Sequence, residues 1–202
     1  MTSPRRLLAA VLAFSALALA YAPAGFTDAA DYGFSPAATG LENARALQRA
    51  VDRTGTIVVS QPGTYRLADT VFIGGNTSLV FGANVFVKKV DEKGPFTHVL
   101  VNKGALTRTW DEHISVTGLH VIVNGVDIRK WLVYGLHGQL AFFYVKDLRI
   151  EKFRCLDLGR VQYGIHICTF EDIVVDDVII KGDKDGVHLG PGKRFTLRNG
   201  VF

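Results

Sequence analysis

The chain is poor in the residues that staple or punctuate a fold. It has two cysteines, six prolines, two tryptophans and a single methionine, the initiator, in 202 residues. Two cysteines, Cys155 and Cys168, cannot build a disulfide framework, and they form no Cys/His set at metal-ligand spacing. They can pair in an oxidising compartment or remain free buried thiols, since each lies in an apolar context. Charge of one sign is lacking too: 23 Lys and Arg face 19 Asp and Glu. No basic stripe or alternation of basic and aromatic residues marks a nucleic-acid surface. No segment reads as the crossover helix that a βαβ sheet needs between its parallel strands.

The one long apolar run lies at the start. Arg5 and Arg6 precede Leu7 to Ala20, and Ala22-Pro23-Ala24 follows as a small-x-small cleavage site. Residues 1–24 therefore read as a secretory signal, too short in its apolar part for a membrane span. Export to the periplasm or out of the cell follows, with 25–202 as the working domain and no membrane insertion after cleavage. Without Arg5 and Arg6, 21 basic residues remain against 19 acidic ones, a net charge of +2.

What is present is repetition. Gln139-Leu140-Ala141-Phe142, Gly164-Ile165-His166-Ile167 and Gly186-Val187-His188-Leu189 are 25 and then 22 residues apart, with apolar residues at the second and fourth positions each time. Leu148-Arg149-Ile150, Ile173-Val174-Val175 and Phe195-Thr196-Leu197 keep the same offsets. Apolar residues at every second position mark strands with one buried face, and a fixed period of this size marks a stacked repeat. At ~3.3 Å per strand residue a repeat holds three short strands and their bends, one coil of a parallel β-helix. Ile165 is then expected to stack on Val187, and Ile167 on Leu189, inside the tube, with His166 and His188 standing outside one rung apart.

Upstream, Leu41, Ala44, Leu47 and Val51 share one helical face and Gly55 stops the helix, which suits a cap over the first coil. Strands are expected at Ile57-Val58-Val59, Val71-Phe72-Ile73 and Leu79-Val80-Phe81, with a turn at Gln61-Pro62-Gly63-Thr64. Asn76-Thr77-Ser78 fits the glycosylation acceptor pattern, though the signal is of bacterial type.

The order Asp31-Tyr32-Gly33, capping helix, Gly55-Thr56-Ile57-Val58-Val59, Pro62-Gly63-Thr64-Tyr65 and Ile114-Ser115-Val116-Thr117-Gly118-Leu119 resembles the entry to the pectate lyase superfamily, in particular proteins related to glycoside hydrolase family 28. Farther on, Gly164-Ile165-His166-Ile167, Glu171 to Val178 and Asp185-Gly186-Val187 resemble the part of polygalacturonase-like enzymes that leads to their Asn-Thr-Asp-Gly motif. The resemblance implies an all-β, right-handed parallel β-helix acting as a monomer on a polysaccharide, with neither cofactor nor metal. It places the cleft acid at Asp185, while Asp183 and Lys184 stand where the family has Asn and Thr. In a competing register Gly182-Asp183-Lys184-Asp185 faces the family's Gly-Asp-Asp-Cys motif, which requires an inserted Lys.

Cleaving a glycosidic bond takes one carboxylic acid to protonate the leaving oxygen and a carboxylate to activate water or attack the sugar. Asp185 and Asp183, two apart at a strand entry, are the candidates for this work. His188, His166, Lys184 and Lys181 are candidate substrate contacts, with Lys193 and Arg194 as further cations for polyuronate carboxylates. Asp185 also has a plain reading as turn chemistry before Gly186, the histidines as outward polar residues of stacked strands, and the lysines as solvated surface. Trp110 and Trp131 either stack on sugar rings or fill the core; His98, His113, His120 and His137 receive no role.

The family's Asp-Asp, Gly-His-Gly and Arg-x-Lys motifs fall beyond Phe202, so the sequence reads as the amino-terminal part of a longer protein, inactive or nearly so by itself. Two other functions fit the same pattern. A lyase or epimerase would abstract the proton beside a uronate carboxylate, and a non-catalytic adhesion or glycan-binding solenoid would carry aromatic and amide ladders without convergent acids.

Overall fold

The computed structural model describes residues 25–126 and 135–202; residues 1–24, where a signal is expected, and Trp131 lie outside the described residues. The chain winds through three ladders of parallel strands, visiting them in the same order on each pass. The first ladder stacks Phe26–Asp28, Gly55–Val59, Thr77–Phe81, Asp111–Thr117 and then 145–151, 170–176 and 192–198. The second stacks Gly63–Leu67, Val85–Lys89, His120–Ile122, Arg154–Leu158, 178–182 and 200–201. The third stacks Val71–Ile73, Leu100–Asn102, 138–143, 163–168 and Val187–Leu189.

The period-2 alternation aims one row of each ladder inward. Ile57, Leu79, Val116, Ile150 and Val175 form one column, in register and at most 1% exposed. Tyr65, Val87, Val121, Cys155 and Ile180 form the second, and Val71, Leu100, Leu140 and Ile165 the third, running on into Val187. Burying each such side chain contributes roughly 1.5–3 kcal/mol, so the columns carry the fold. Both predicted registers are present: Ile165 pairs with Val187 and Ile167 with Leu189, and Leu148, Ile173 and Phe195 share one column. The two cysteines sit in different ladders as free thiols; burial pushes the Cys155 thiol up to about 12.

Corners fall at equivalent places on successive coils and use left-handed backbone. Thr54, Asn76, His113, Asp147, Asp172 and Arg194 all have φ between 48° and 57° and lie at the entry to the first ladder. Gly118, Lys152, Asp177 and Asn199 make the corner between the first and second ladders, again with positive φ. Such corners let Gly138–Glu151 and Tyr163–Gly182 each run as one hydrogen-bonded strand around more than one face. A non-glycine residue in this region carries roughly 1–2 kcal/mol of strain, least for Asn and Asp. Asn76→Val is therefore expected to lower stability by about 1–2 kcal/mol in denaturant titration, with Asn76→Gly within about 1 kcal/mol of wild type; equal losses for both would contradict a conformational origin.

The helix α1 (Gly40–Val51) covers the first coil as expected, with Ala44, Leu47 and Val51 buried. Thr39 and Glu42 form a reciprocal capping box, and the Glu92 carboxylate accepts from the Gly40 and Leu41 amides at 2.8 and 3.1 Å. Gln48 does the work of a missing strand: its amide accepts from Phe72 N–H at 2.7 Å and donates to Phe72 C=O at 2.9 Å. The open edge of Val71–Ile73 is thereby satisfied.

Candidate active site

The outer row of the third ladder runs Phe72, Val101, Ala141, His166, His188, one residue per coil. Its middle is dry. Val101 and Ala141 are buried with Ala105 and Leu136 in a small second cluster, against which Phe72, Phe143 and Cys168 pack. On the later coils the row becomes aromatic and titratable.

Three rings are stacked there face to face. His137 lies over Tyr163 with centroids 5.4 Å apart and planes 19° apart, and Tyr163 lies over His188 at 4.7 Å and 10°. His166 meets all three edge-on, at 6.3, 5.2 and 4.7 Å. This corrects the expectation for His166: it does stand on the outer side of the strand, but the three rings cover it and it is only 4% exposed. Its Nδ1 accepts the His137 backbone N–H at 3.0 Å, so in the neutral ring Nε2 carries the proton. That nitrogen faces Cys168 Sγ at 3.4 Å. A thiol activated by this ring would need Nε2 unprotonated, so the Cys168–His166 pair is not a nucleophile with its base. Burial first, then the neighbouring His188, His137 and His98, hold His166 down to about 4.

His98, two coils away ahead of Leu100–Asn102, is held near the same value by burial; its Nδ1 donates to Gly138 C=O at 2.8 Å. For both rings the folded state binds fewer protons than the unfolded chain between pH 6.5 and about 4. Stability is thus full above pH 6.5 and is lost as the pH falls through that window. Denaturant midpoints measured from pH 7.5 to 4 are expected to drop mainly below 6.5, and the drop is expected to shrink in His98→Gln.

Asp185 sits in the bend between Gly182 and Val187, not on a regular strand. Its Oδ2 accepts from His188 Nδ1 at 2.8 Å, with the two side chains 47% and 41% exposed. That contact leaves His188 Nε2 as the free ring nitrogen. Glycine holds the bend close: a Cβ on Gly164 would come within 2.7 Å of Gly186 O and 2.6 Å of Ile180 Cγ2. Lys184 Nζ lies 5.9 Å from the centre of the Tyr163 ring. Asp183 and Lys181 are exposed on the flanks of the bend.

The structure therefore brings Asp185, His188, His166 and Lys184 together and adds Tyr163 and His137, which the sequence reading passed over. It withdraws Arg194 as a free cation, because its guanidinium is held by Glu171 and by Asp172, the latter at 2.9 Å from Nη2. Lys193 remains exposed. Trp110 is not core: it is 48% exposed, edge-on to Tyr144 at 5.7 Å. Among the described residues no group of three or more His, Cys, Asp or Glu is placed to hold a metal ion.

No family model and no curated protein matches the chain. Solved structures do. PfbA, a surface adhesin of Streptococcus pneumoniae, superposes with a TM-score of 0.59 at 19% identity, over 76% of this chain and 38% of PfbA. A second PfbA structure gives 0.59 at 18% identity. A candidate glycosyl hydrolase of Parabacteroides merdae ATCC 43184 superposes with a TM-score of 0.57 at 14% identity, over 88% of this chain and 93% of that one. At these identities the likeness is one of fold. The chain spans well under half the length of PfbA. No described helix is long and apolar enough to cross a membrane.

Proposed function

We propose that the chain forms a right-handed parallel β-helix, exported, monomeric and related to glycoside hydrolase family 28, and that it supplies the outer face of the third ladder to a parent protein that cleaves uronic-acid-containing polysaccharide there. The observation that carries the reading is the half-exposed Asp185–His188 pair at 2.8 Å beside the Tyr163 ring. Handedness rests on the near-universal right-handed crossover between parallel strands. A glycan has flat apolar faces for Tyr163, and a uronate carboxylate suits Lys184. In the hydrolytic reading Asp185 is one of two carboxylates of an inverting reaction, held in place by His188, with a water between it and the sugar. Asp183, on the same exposed bend, is the other acid within the chain, and Lys181 lies at the bend's edge.

A second reading, eliminative cleavage, is favoured by one observation: the free nitrogen of the pair belongs to His188, with the Tyr163 ring stacked on it and Lys184 near. Those are the base, acid and carboxylate partner that removal of a proton beside a uronate carboxylate requires. Incubating the protein with polygalacturonate and following both new reducing ends and the ultraviolet absorbance of unsaturated uronate separates the two. Reducing ends without the chromophore support hydrolysis, both together support elimination, and tight binding with neither overturns the enzymatic reading in favour of an adhesive solenoid.

A further inference from the structure

A second concave surface lies away from Asp185, where the first and second ladders meet. It encloses about 500 Å3 between the segment 80–86 on one side and Thr117, Gly118, His120, Lys152 and Arg154 on the other. Its floor is the outer row of the second ladder, in which Phe86, His120 and Arg154 follow one another on consecutive coils. The Phe86 and His120 rings are 4.7 Å apart, tilted by 55°. Arg154 continues the row with a guanidinium pinned in place, its Nη2 bonded to Asp177 Oδ1 at 2.7 Å and its Nη1 to backbone carbonyls. Lys152 is exposed on the rim, and among the described residues no carboxylate lines the groove.

The backbone keeps this surface low. Gly118 takes φ +76° with a Cβ position 2.4 Å from Phe81 O, so no side chain fits there. The result is a strip of flat groups spaced by one strand repeat, with an unpaired ammonium at its edge. Flat rings take the apolar faces of sugars, guanidinium planes stack on rings, and an ammonium takes a carboxylate. The volume suits a small ligand rather than a protein.

We infer that this groove is a second glycan-binding site, for an acidic oligosaccharide, separate from the Asp185 site and independent of whether that site is catalytic. Its occupant lies along the solenoid axis, stacked on Phe86 and His120, with a carboxylate on Lys152.

The test uses the full chain, isotope-labelled, titrated with an oligogalacturonate and separately with a neutral maltooligosaccharide. The expected result is saturable shifts of the Gly82 and Gly118 amides with the acidic ligand, unchanged in Asp185→Asn. Lys152→Gln and Phe86→Ala are each expected to weaken this binding about tenfold or more, and Lys152, being exposed, is changed without risk to the fold. Absence of shifts at Gly82 and Gly118, equal binding of the neutral ligand, or no loss in Lys152→Gln would overturn the inference. Loss of the shifts in Asp185→Asn would show that the two surfaces are one site, and would overturn it as well.

Discussion

Asp185→Asn is expected to lower polysaccharide cleavage by about 10²–10⁴-fold, the usual scale for removing a positioned acid–base group. The amide keeps an oxygen that accepts from His188 Nδ1, so the ring stays oriented while the negative charge is gone. The variant thus asks whether charge, and not only orientation, is used. His188→Gln is the companion: in elimination it is expected to cost as much as Asp185→Asn, whereas in hydrolysis it costs less, because the carboxylate that handles the water survives. Undiminished turnover in Asp185→Asn removes the pair from the mechanism. Folding of both variants is expected to match wild type, since neither side chain is buried.

Lys89→Met is expected to have the largest effect on stability. Lys89 lies on the inward row of Val85–Lys89 and is fully buried. Its ammonium donates to Phe96 C=O at 2.7 Å, Thr97 C=O at 3.0 Å and Gln139 Oε1 at 3.2 Å, and lies 4.6 Å from the centre of the Phe96 ring. Three acceptors therefore tie the segment 96–97 to the third ladder through one nitrogen. Methionine fills the volume but leaves those acceptors without a donor, at roughly 1–3 kcal/mol each. Against that stands relief of the buried charge, because burial lowers Lys89 to about 7.

The balance depends on pH, and its sign is fixed. Between about pH 7 and 10.5 the folded state binds fewer protons at Lys89 than the unfolded chain, so wild-type stability gains with rising pH from this group. Methionine has no such gain. Lys89→Met is thus expected to be destabilised by about 2–4 kcal/mol at pH 9 and by less at pH 6, as read from denaturant midpoints. A gap that narrows with rising pH would contradict the placement of the charge.

The strand columns were legible because burial imposes alternation and stacking imposes a period. Leu140, Ile165 and Val187 therefore align as their spacing predicts. The cap was legible for a similar reason, since α1 carries one apolar face. The corners were not, because His113, Asp147 and Arg194 turn left-handed without a glycine to announce it. Alternation assigns a side chain to one side of a strand and says nothing about what lies over it, which is why His166 was placed outside but not recognised as covered.

Tyr163 and His137 were missed because they reach the site from the strand starts, Tyr163 as the first residue of Tyr163–Gly182 and His137 just ahead of Gly138–Glu151. A signal existed: Tyr163 precedes His166 by three residues as Asp185 precedes His188, so the two occupy equivalent places on adjacent coils. Lys89 was visible in the same way, two residues after Val87 in an inward row. The free Arg194 expected from sequence is claimed by Glu171 and Asp172 one coil below, a contact that only the register reveals.

A crystal structure with an oligogalacturonate would show whether an acidic glycan is held at the Asp185 site on the outer face of the third ladder. A sugar ring is expected against Tyr163, with its carboxylate toward Lys184 and its glycosidic oxygen within reach of the Asp185–His188 pair. Full occupancy elsewhere on the chain, with Tyr163 and His188 untouched, would contradict it.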